Sequence, residues 1–421
     1  MLEKIFASSV RGLARIRVLR TAPKGFLLDS FSRELIHSRY ANRTARQSIR
    51  AAEHMLHLAA RRHIPLGNWK ADLFPAFCRY LSGRNSSRGY LGCYRYRDTQ
   101  SLMAGAHLFL EHLQKIGVIT APAEQSVTPL PLVAFRRWMT EQRGTGDATV
   151  DNYDRYLVKF LDRYGEDQRH FTAQGLRRFY LESAQNRGVG PRKICATALR
   201  LFIRFLIAEG QCAPGLEGAI PTLPTWRLTE LPRYFQPAEV ERIVGSCDPA
   251  TPAGLRDRAI LLLLARLGLR AGDVAGLRLG DIDWREACVV VSGKGRRETR
   301  LPLTQEVGDA IVAYLKYSRP PADFDFLFVG SLAPFRPLPN GCAVSQIVKY
   351  AIRRAGVTPP SRGAAHLLRH SVATSLLRHG ASLQDIGAIL RHRSIVSTQI
   401  YAKVDVKSLG QIAQPWPAVQ S

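Results

Sequence analysis

The sequence predicts a mainly α-helical protein of several domains with one small antiparallel β-sheet. Of the 421 residues, 46% are hydrophobic and 9% aromatic, and the apolar positions recur at helical spacing along most of the chain. Proline-rich breaks at 120–132, 213–225 and 333–339 interrupt the helical stretches, and residues 287–303 have the pattern of a β-hairpin. A chain of this length can bury more than one core, so two to four domains are expected.

The breaks divide the chain into three blocks, with domains predicted at 1–125, 126–226 and 235–410, a linker at 227–234 and a tail at 411–421. The first two blocks resemble each other. TARQSIRAAEHMLHLAARR is matched by ATVDNYDRYLVKFLDRYG, and AHLFLEHLQKIGVITAP by LRLFIRFLIAEGQCAP. This pattern predicts a duplicated helical unit, although two unrelated helical bundles can share it by chance.

Positive charge is the strongest feature of the composition. Lys and Arg number 60 against 34 Asp and Glu, which gives a net charge of +26. Residues 1–125 alone carry 20 basic and 8 acidic side chains. Such a charge costs self-repulsion, and a polyanionic partner is its usual reason, although an Arg-rich host proteome explains part of it. The excess of Arg over Lys suits forked contacts with phosphate.

The cysteines and the apolar segments indicate the cellular compartment. Seven scattered cysteines form no C-x-x-C pair, which favours a reducing environment over a disulfide framework or a zinc knuckle. The apolar run 260–264 is far too short to span a bilayer. The basic, amphipathic start MLEKIFASSVRGLARIRVLR could be a transit peptide, but Glu3 and the lack of a clear cleavage site favour a basic arm or a frayed helix. We therefore expect a cytoplasmic, nucleoid-associated protein without a membrane segment.

The third block predicts the most varied local structure. RDRAILLLLARLGLRAGDVAGLRLGDIDW reads as a buried helix, a glycine turn and a short helix that begins at Ala271. A β-hairpin follows, with strands at 289–291 and 299–303. Further on, Gly380 is expected to end a helix and Ser382 to cap the next, with an acidic residue three positions later.

The segment HLLRHSVATSLLRHG, residues 366–380, raises the question of a metal site. His366 and His370 have the i, i+4 spacing of a zinc pair, but the zinc hydrolase motif needs Glu at 367, where this chain has Leu. The cation of Arg369 between the two histidines opposes metal binding. The remaining interpretations are a solvated basic helix or a site for an anion, and no metal or cofactor is expected.

Six residues of the third block are chemistry candidates that each carry little information alone. A surface charge, a turn lysine or a core aromatic explains any one of them. They are Arg270, Lys294, His366, Arg369, His392 and Tyr401.

As an ordered set these residues strongly resemble the catalytic domain of the tyrosine recombinases, the phage-integrase-like family. The matching stretches are LGLRAGDVAGLRLGDID, VVVSGKGRRETRLPL and HLLRHSVATSLLRHGASLQDIGAILRHRSIVSTQIYAKVD, within about 235–410. Block 126–226 resembles the helical core-binding domain of that family, and block 1–125 is interpreted as an extra basic DNA-binding module. The ending YAKVD followed by PWP is similar to recombinases of mobile elements.

The resemblance implies an α+β catalytic domain joined to helical domains that clamp double-stranded DNA. It implies a site-specific recombinase that integrates, excises or resolves a mobile element. Two arginines, Arg270 and Arg369, would hold the non-bridging oxygens of the phosphate. Tyr401 would attack phosphorus and form a 3′-phosphotyrosyl link, which conserves the energy needed for rejoining.

The remaining candidates receive supporting roles from the same resemblance. Lys294 on the hairpin would protonate the departing 5′ oxygen, and His392 would donate to a phosphate oxygen. His366 would transfer a proton or donate a hydrogen bond, while His370 would pack or brace the site. The active assembly would be a homotetramer on two duplexes, or a hetero-assembly with related recombinases.

The chain departs from the family pattern at two positions. Asp273 stands where Glu is usual, so its bracing of Arg270 must differ in geometry. Arg391 stands where Gly is usual before the second histidine, and Gly there would allow positive φ. We therefore expect Arg391 to take another backbone path, and it could add a phosphate contact.

Three other functions stay open at the level of the sequence. A type IB topoisomerase uses similar chemistry without pairing two duplexes. A catalytically idle protein could bridge element ends for partner recombinases, and the two departures leave room for it. A generic nucleic-acid-binding scaffold is the most distant alternative, because it would have no need for the tyrosine.

Overall fold

The structure is a computed structural model that describes residues 1–6, 10–82, 99–119, 129–223, 231–292, 298–361, 363–392 and 394–404. The chain divides into two compact units. One unit is Thr120–Arg227, and the other comprises Met1–Ile119 together with Leu228–Ser421. Each is described by itself, and the predicted three-domain boundaries remain a prediction.

The N-terminal residues 1–119 form a helical bundle with its own apolar core. Its helices are α1 (Leu2–Phe6), α2 (Val10–Thr21), α3 (Phe26–His37), α4 (Asn42–Arg61), α5 (Phe74–Ser82) and α6 (Thr99–Lys115). Helices α4 and α6 pack side by side, and Phe31, Trp69 and Phe109 are buried among the surrounding helices. These three aromatic side chains are among the largest fully buried groups of the protein.

The unit 120–227 contains four described helices. They are α7 (Leu130–Glu141), α8 (Asp147–Tyr164), α9 (Ala173–Ala184) and α10 (Val189–Ala208). Phe135, Phe160 and Phe202 are buried in a core to which all four helices contribute. The proline at the second position of α7 lies in the first turn, where no backbone donor is lost.

The last four helices of the first bundle, of 12, 20, 9 and 17 residues, follow one another as do the four helices of the second, of 12, 18, 12 and 20 residues. Helices α3 to α6 correspond to α7 to α10, and the last helix of each is followed by a glycine of left-handed φ, Gly117 at 71° and Gly210 at 70°. Buried apolar residues of α3 and α7 recur 104 positions apart: Leu28, Phe31 and Leu35, then Leu132, Phe135 and Met139. Duplication is consistent with this correspondence and remains a prediction.

The C-terminal residues from 231 onward combine helices with the small sheet. The elements are α11 (Pro237–Gly245), α12 (Pro252–Arg266), α13 (Ala271–Gly276), β1 (Ile282–Asp283), β2 (Cys288–Ser292), β3 (Glu298–Pro302), α14 (Gln305–Tyr317), α15 (Gly341–Arg354), α16 (Ala364–Arg378) and α17 (Leu383–Ile389). The run 260–264 of α12 is fully buried, and helix α12 contacts α14, α15 and α16. It forms the centre of the core.

The sheet confirms the predicted hairpin and adds one strand. Its order is β1-β2-β3, antiparallel throughout, with Val289 opposite Leu301. The two-residue strand β1 was not predicted because it is too short to show alternation. Residues 293–297, which were predicted to form the turn of the hairpin and include Lys294, lie outside the described residues.

Predicted helix ends in this region are confirmed. Helix α13 begins at Ala271, and Gly380 after α16 adopts φ of 88°. The Asp385 backbone N–H donates to Ser382 Oγ at 3.1 Å, which caps α17 as expected. None of the helices in the described residues is long and apolar enough to cross a membrane.

Candidate active site

Helix α16 carries three of the predicted site residues within little more than one turn. It begins after Gly363, whose φ of 105° suits glycine. His366, Arg369 and His370 follow at helical spacing, so one face can direct all three toward a common point. The rings of His366 and His370 lie 5.0 Å apart between centroids and nearly perpendicular.

Arg369 is almost completely buried, at 3% exposure. Its Nη1 donates to the carbonyl oxygen of Gly268, and its Nη2 donates to that of Leu390. Burial, and then the charge of Arg270, lower the pKa of Arg369 to about 10. Arg369 is therefore still a cation at neutral pH, and two carbonyl oxygens hold its guanidinium group.

Arg270 approaches the same turn from the start of α13. Its Nη2 donates to the carbonyl oxygen of Arg391 at 3.0 Å, while its backbone N–H donates to Asp273 Oδ2 at 3.3 Å. The Arg270 side chain is 40% exposed, and its Nη1 lies 4.0 Å from Asp273 Oδ2. The carbonyl oxygens of two consecutive residues thus accept hydrogen bonds from the two arginines, Leu390 from Arg369 and Arg391 from Arg270.

The hydroxyl of Tyr401 lies inside the protein beside α16. Tyr401 belongs to the short 3₁₀ segment Gln399–Val404 and is 1% exposed. Its Oη is 2.7 Å from His370 Nδ1. Burial raises the pKa of Tyr401 to about 12, and the charge of Arg369 opposes that rise. The phenol is therefore protonated at neutral pH and already paired with an imidazole.

His370 is neutral at physiological pH. Burial, and then the neighbouring His366, Arg369 and His392, lower its pKa to about 4. We assign the tautomer with hydrogen on Nε2, in which Nδ1 accepts from the Tyr401 hydroxyl. The sequence analysis gave His370 only a packing or bracing role, because nothing in the pattern indicates that it touches Tyr401.

The other two histidines complete the cluster. Burial and the charges of Arg369 and Arg270 lower the pKa of His392 to about 4 and also lower the pKa of His366. His392 Nδ1 lies 2.8 Å from Oγ1 of the fully buried Thr398. Sequence reasoning missed Thr398, which orients the ring and leaves Nε2 for a ligand.

Arg391 corrects one expectation. Its φ is +54°, so it follows the left-handed path that glycine would take rather than a different one. Its side chain is 7% exposed, and Nη2 lies 2.5 Å from Asp273 Oδ2. Nε and Nη1 of Arg391 are buried and have no hydrogen-bond partner among the described residues. The positive φ costs about 1 kcal/mol in a non-glycine residue.

The structure therefore brings five of the six sequence candidates and both supporting residues into one region. Lys294 lies outside the described residues. Within those residues, no group of three or more His, Cys, Asp or Glu side chains could hold a metal ion. The assembled side chains are Arg270, His366, Arg369, His392 and Tyr401, with Asp273 and His370 beside them.

The two partly buried neutral histidines, His370 and His392, predict acid sensitivity of the free protein. The pKa values of His370 and His392 are about 4 in the fold and 6.5 without it, so the unfolded chain binds more protons between these values. The melting temperature should fall as pH decreases from 6.5 toward 4. Thermal melts should give a shallower slope for His370→Asn and an unchanged slope for His379→Ala, whose exposed ring bonds Ser375. Equal slopes for all three proteins would contradict the assignment.

The site has the character of a phosphoryl-transfer centre with a tyrosine nucleophile. The guanidinium groups of Arg270 and Arg369 attract a phosphate that gains negative charge, and neutral imidazoles can donate to it or accept protons. The buried hydroxyl lies within the same cluster. These features define the class of enzyme, and comparison with known proteins gives the family.

The family model described as the phage integrase family matches residues 233–408. A putative integrase/recombinase of Sinorhizobium fredii is 37% identical over 289 residues, 68% of this chain and 70% of the relative. Tyrosine recombinase XerD of Yersinia pestis is 31% identical over 284 residues, 65% of this chain and 92% of the relative. A crystal structure of a lambda integrase dimer bound to a core site shares the fold, with TM-score 0.51, 16% identity and coverage of 69% and 98%.

The chain belongs to the phage integrase family and is a tyrosine recombinase, an enzyme of site-specific DNA strand transfer. The fold class predicted from the sequence, mainly α with a small antiparallel sheet, is confirmed by the structure.

Proposed function

We propose that Tyr401 cuts one strand of double-stranded DNA and stays joined to its 3′ phosphate until a second strand replaces it. The observation that carries this proposal is the buried Tyr401 hydroxyl, 2.7 Å from the neutral ring of His370 and within the field of Arg369. A phenol at this position needs an acceptor for its proton and cations for the phosphate. Both are present.

The two arginines stabilise the charge that develops during the exchange. Attack on phosphorus places negative charge on the two non-bridging oxygens, and Arg270 and Arg369 can each bind one of them. Carbonyl oxygens of residues 268, 390 and 391 fix both guanidinium groups before DNA arrives. Preorganised cations of this kind lower the barrier because they need no rearrangement during the reaction.

Protons and bonds balance in two symmetrical steps. In the first, the Tyr401 oxygen bonds to phosphorus, His370 accepts the phenolic proton, and the bond from phosphorus to the 5′ oxygen breaks. Lys294 gives the proton that the 5′ oxygen requires, while His392 and His366 donate to the phosphate. In the second step a 5′ hydroxyl attacks the link and gives its proton back to Lys294, the bond from phosphorus to the Tyr401 oxygen breaks, and Tyr401 regains its proton from His370. The number of phosphoester bonds is conserved.

The biological substrate is proposed from charge and from relatives. A lambda integrase is described as bound to a core site, and a Tn1549 transposon integrase as bound to transposon right-end DNA. The net charge of +26 suits such a substrate, and binding should weaken steeply as salt rises. We assign this chain to the movement of a mobile element, acting as a homotetramer on two duplexes or together with related recombinases.

Trapping of the covalent intermediate tests the proposal. DNA flanking the gene is footprinted to find the core site, and a duplex with a nick near that site releases the 5′ fragment after cleavage. Wild type should form an adduct stable to denaturing gels, and Tyr401→Phe should form none. Tyr401→Phe removes only the hydroxyl group, so the buried aromatic ring should pack as it does in the wild type.

Other outcomes separate the rival functions. An adduct with Tyr401→Phe, or none with wild type on a footprinted site, would contradict the mechanism. Binding without cleavage would instead indicate an idle bridging protein. Relaxation of supercoiled plasmid that lacks the site would indicate a topoisomerase, because recombination requires the specific sequence.

A further inference from the structure

We propose that Asp273 and Arg391 form one positioning unit that holds the turn on which both reactive arginines depend. The inference rests on the proposed function, because it concerns the placement of Arg270 and Arg369 on a phosphate. It assigns a role to the two positions at which the chain departs from its family.

The turn at 390–391 is the shared support of the two arginines. Leu390 C=O accepts from Arg369, and Arg391 C=O accepts from Arg270 at 3.0 Å. His392 follows directly in the chain. A small rotation of this turn would therefore move both guanidinium groups and an imidazole at once.

One carboxylate fastens that turn to helix α13. Asp273 Oδ2 accepts from Arg391 Nη2 at 2.5 Å and from the backbone N–H of Arg270 at 3.3 Å. The same oxygen thus joins the start of α13 to the turn 121 residues away in the chain from Arg270. Both side chains of the pair are largely buried, at 7% and 15% exposure, so solvent screens the contact little.

Arg391 carries two energetic penalties at this position. Its φ of +54° disfavours a side chain, and two of its buried nitrogens have no partner among the described residues. Glycine would remove both penalties. Arg391 lies beside the reactive groups and not in a remote loop. We therefore infer that its contribution is to orient the turn at 390–391.

The length of the acidic side chain fits the same account. Asp273 Oδ2 remains 4.0 Å from Arg270 Nη1 but contacts Arg391 directly. A glutamate at 273 would carry its carboxylate one methylene further, where the Arg391 cation occupies the space. Asp273→Glu or Arg391→Gly alone should therefore disturb the turn. The two substitutions together should be compatible with each other, because glycine leaves room for the longer glutamate.

A double-mutant cycle tests the unit with the single-turnover cleavage rate at saturating nicked DNA. Asp273→Glu and Arg391→Gly should each slow cleavage about ten- to hundredfold, since small misplacements of reacting groups cost that much. The double variant should recover to within about threefold of wild type, which is strong coupling. The Kd for DNA should change little in all three. Arg391→Lys, which keeps the cation, should recover part of the rate lost in Arg391→Gly.

The controls separate positioning from stability and from the proposed function. Glu306→Gln breaks the Arg266–Glu306 ion pair of 2.8 Å in the same domain and should leave the rate unchanged. Additive effects of the two exchanges, wild-type rates in both single variants, or losses explained by melting temperature would overturn the unit. If Arg391→Gly does not fold, Arg391→Lys with Asp273→Glu completes the cycle. Absence of an adduct with wild type would refute the proposed function instead.

Discussion

Replacing Arg369 by alanine is expected to abolish strand cleavage while DNA binding persists. The side chain is buried at 3% exposure and donates to carbonyls on two different segments, at Gly268 and Leu390. Loss of one preorganised donor at a charged transition state slows catalysis about 100- to 1,000-fold, and Arg369 also anchors the turn beneath Arg270. Arg369→Lys should be nearly as slow, because one ammonium cannot reproduce the fork.

A second buried arginine provides the matched control. Arg256 is 7% exposed, pairs with Asp257 and donates from Nη1 to Val329 C=O at 3.2 Å, with no site residue among these contacts. Arg256→Ala should lower the melting temperature as Arg369→Ala does, because both leave buried carbonyls without donors. Measured below the melting transition, Arg256→Ala should still form the covalent adduct. If both variants cleave equally, Arg369 is structural only.

The order of the candidate residues could be predicted because their spacing along the chain survives folding. Periodicity predicted α16 and placed His366 and Arg369 one turn apart, and the glycine and serine signals predicted the boundaries near Gly380 and Ser382. These are local properties, fixed by the 3.6-residue repeat and by cap chemistry. The same signals cannot report contacts between distant segments.

Two of the missed features are contacts between segments that are distant in the chain. His370 meets Tyr401 across 31 residues, and Arg391 meets Asp273 across 118. Asp273 and Arg391 were identified separately as departures, and their pairing became visible only when α13 and the turn after α17 met in space. The left-handed φ of Arg391 was also beyond prediction, because a side chain at that position argues locally against it.

Replacing His370 by alanine is expected to slow cleavage about 100-fold or more, although sequence alone favours an effect mainly on stability. Its Nδ1 is the hydrogen-bond partner of the Tyr401 hydroxyl at 2.7 Å. That hydroxyl has a pKa of about 12, so at pH 7 it must lose its proton during attack. Without His370 the proton would pass to water, and the phenol would lose its orientation toward phosphorus. The measurement is the single-turnover rate of adduct formation at saturating DNA.

His370→Asn distinguishes proton acceptance from orientation. An amide oxygen can still accept from the Tyr401 hydroxyl, but it is too weak a base to take the proton. If asparagine is as slow as alanine, His370 acts as the base; if it restores the rate, His370 orients the hydroxyl. His379→Ala, on the exposed end of the same helix and bonded only locally to Ser375 in the described structure, should cleave as wild type does. A wild-type rate in His370→Ala would show that the contact with Tyr401 is not used, and that another group deprotonates the nucleophile once DNA is bound.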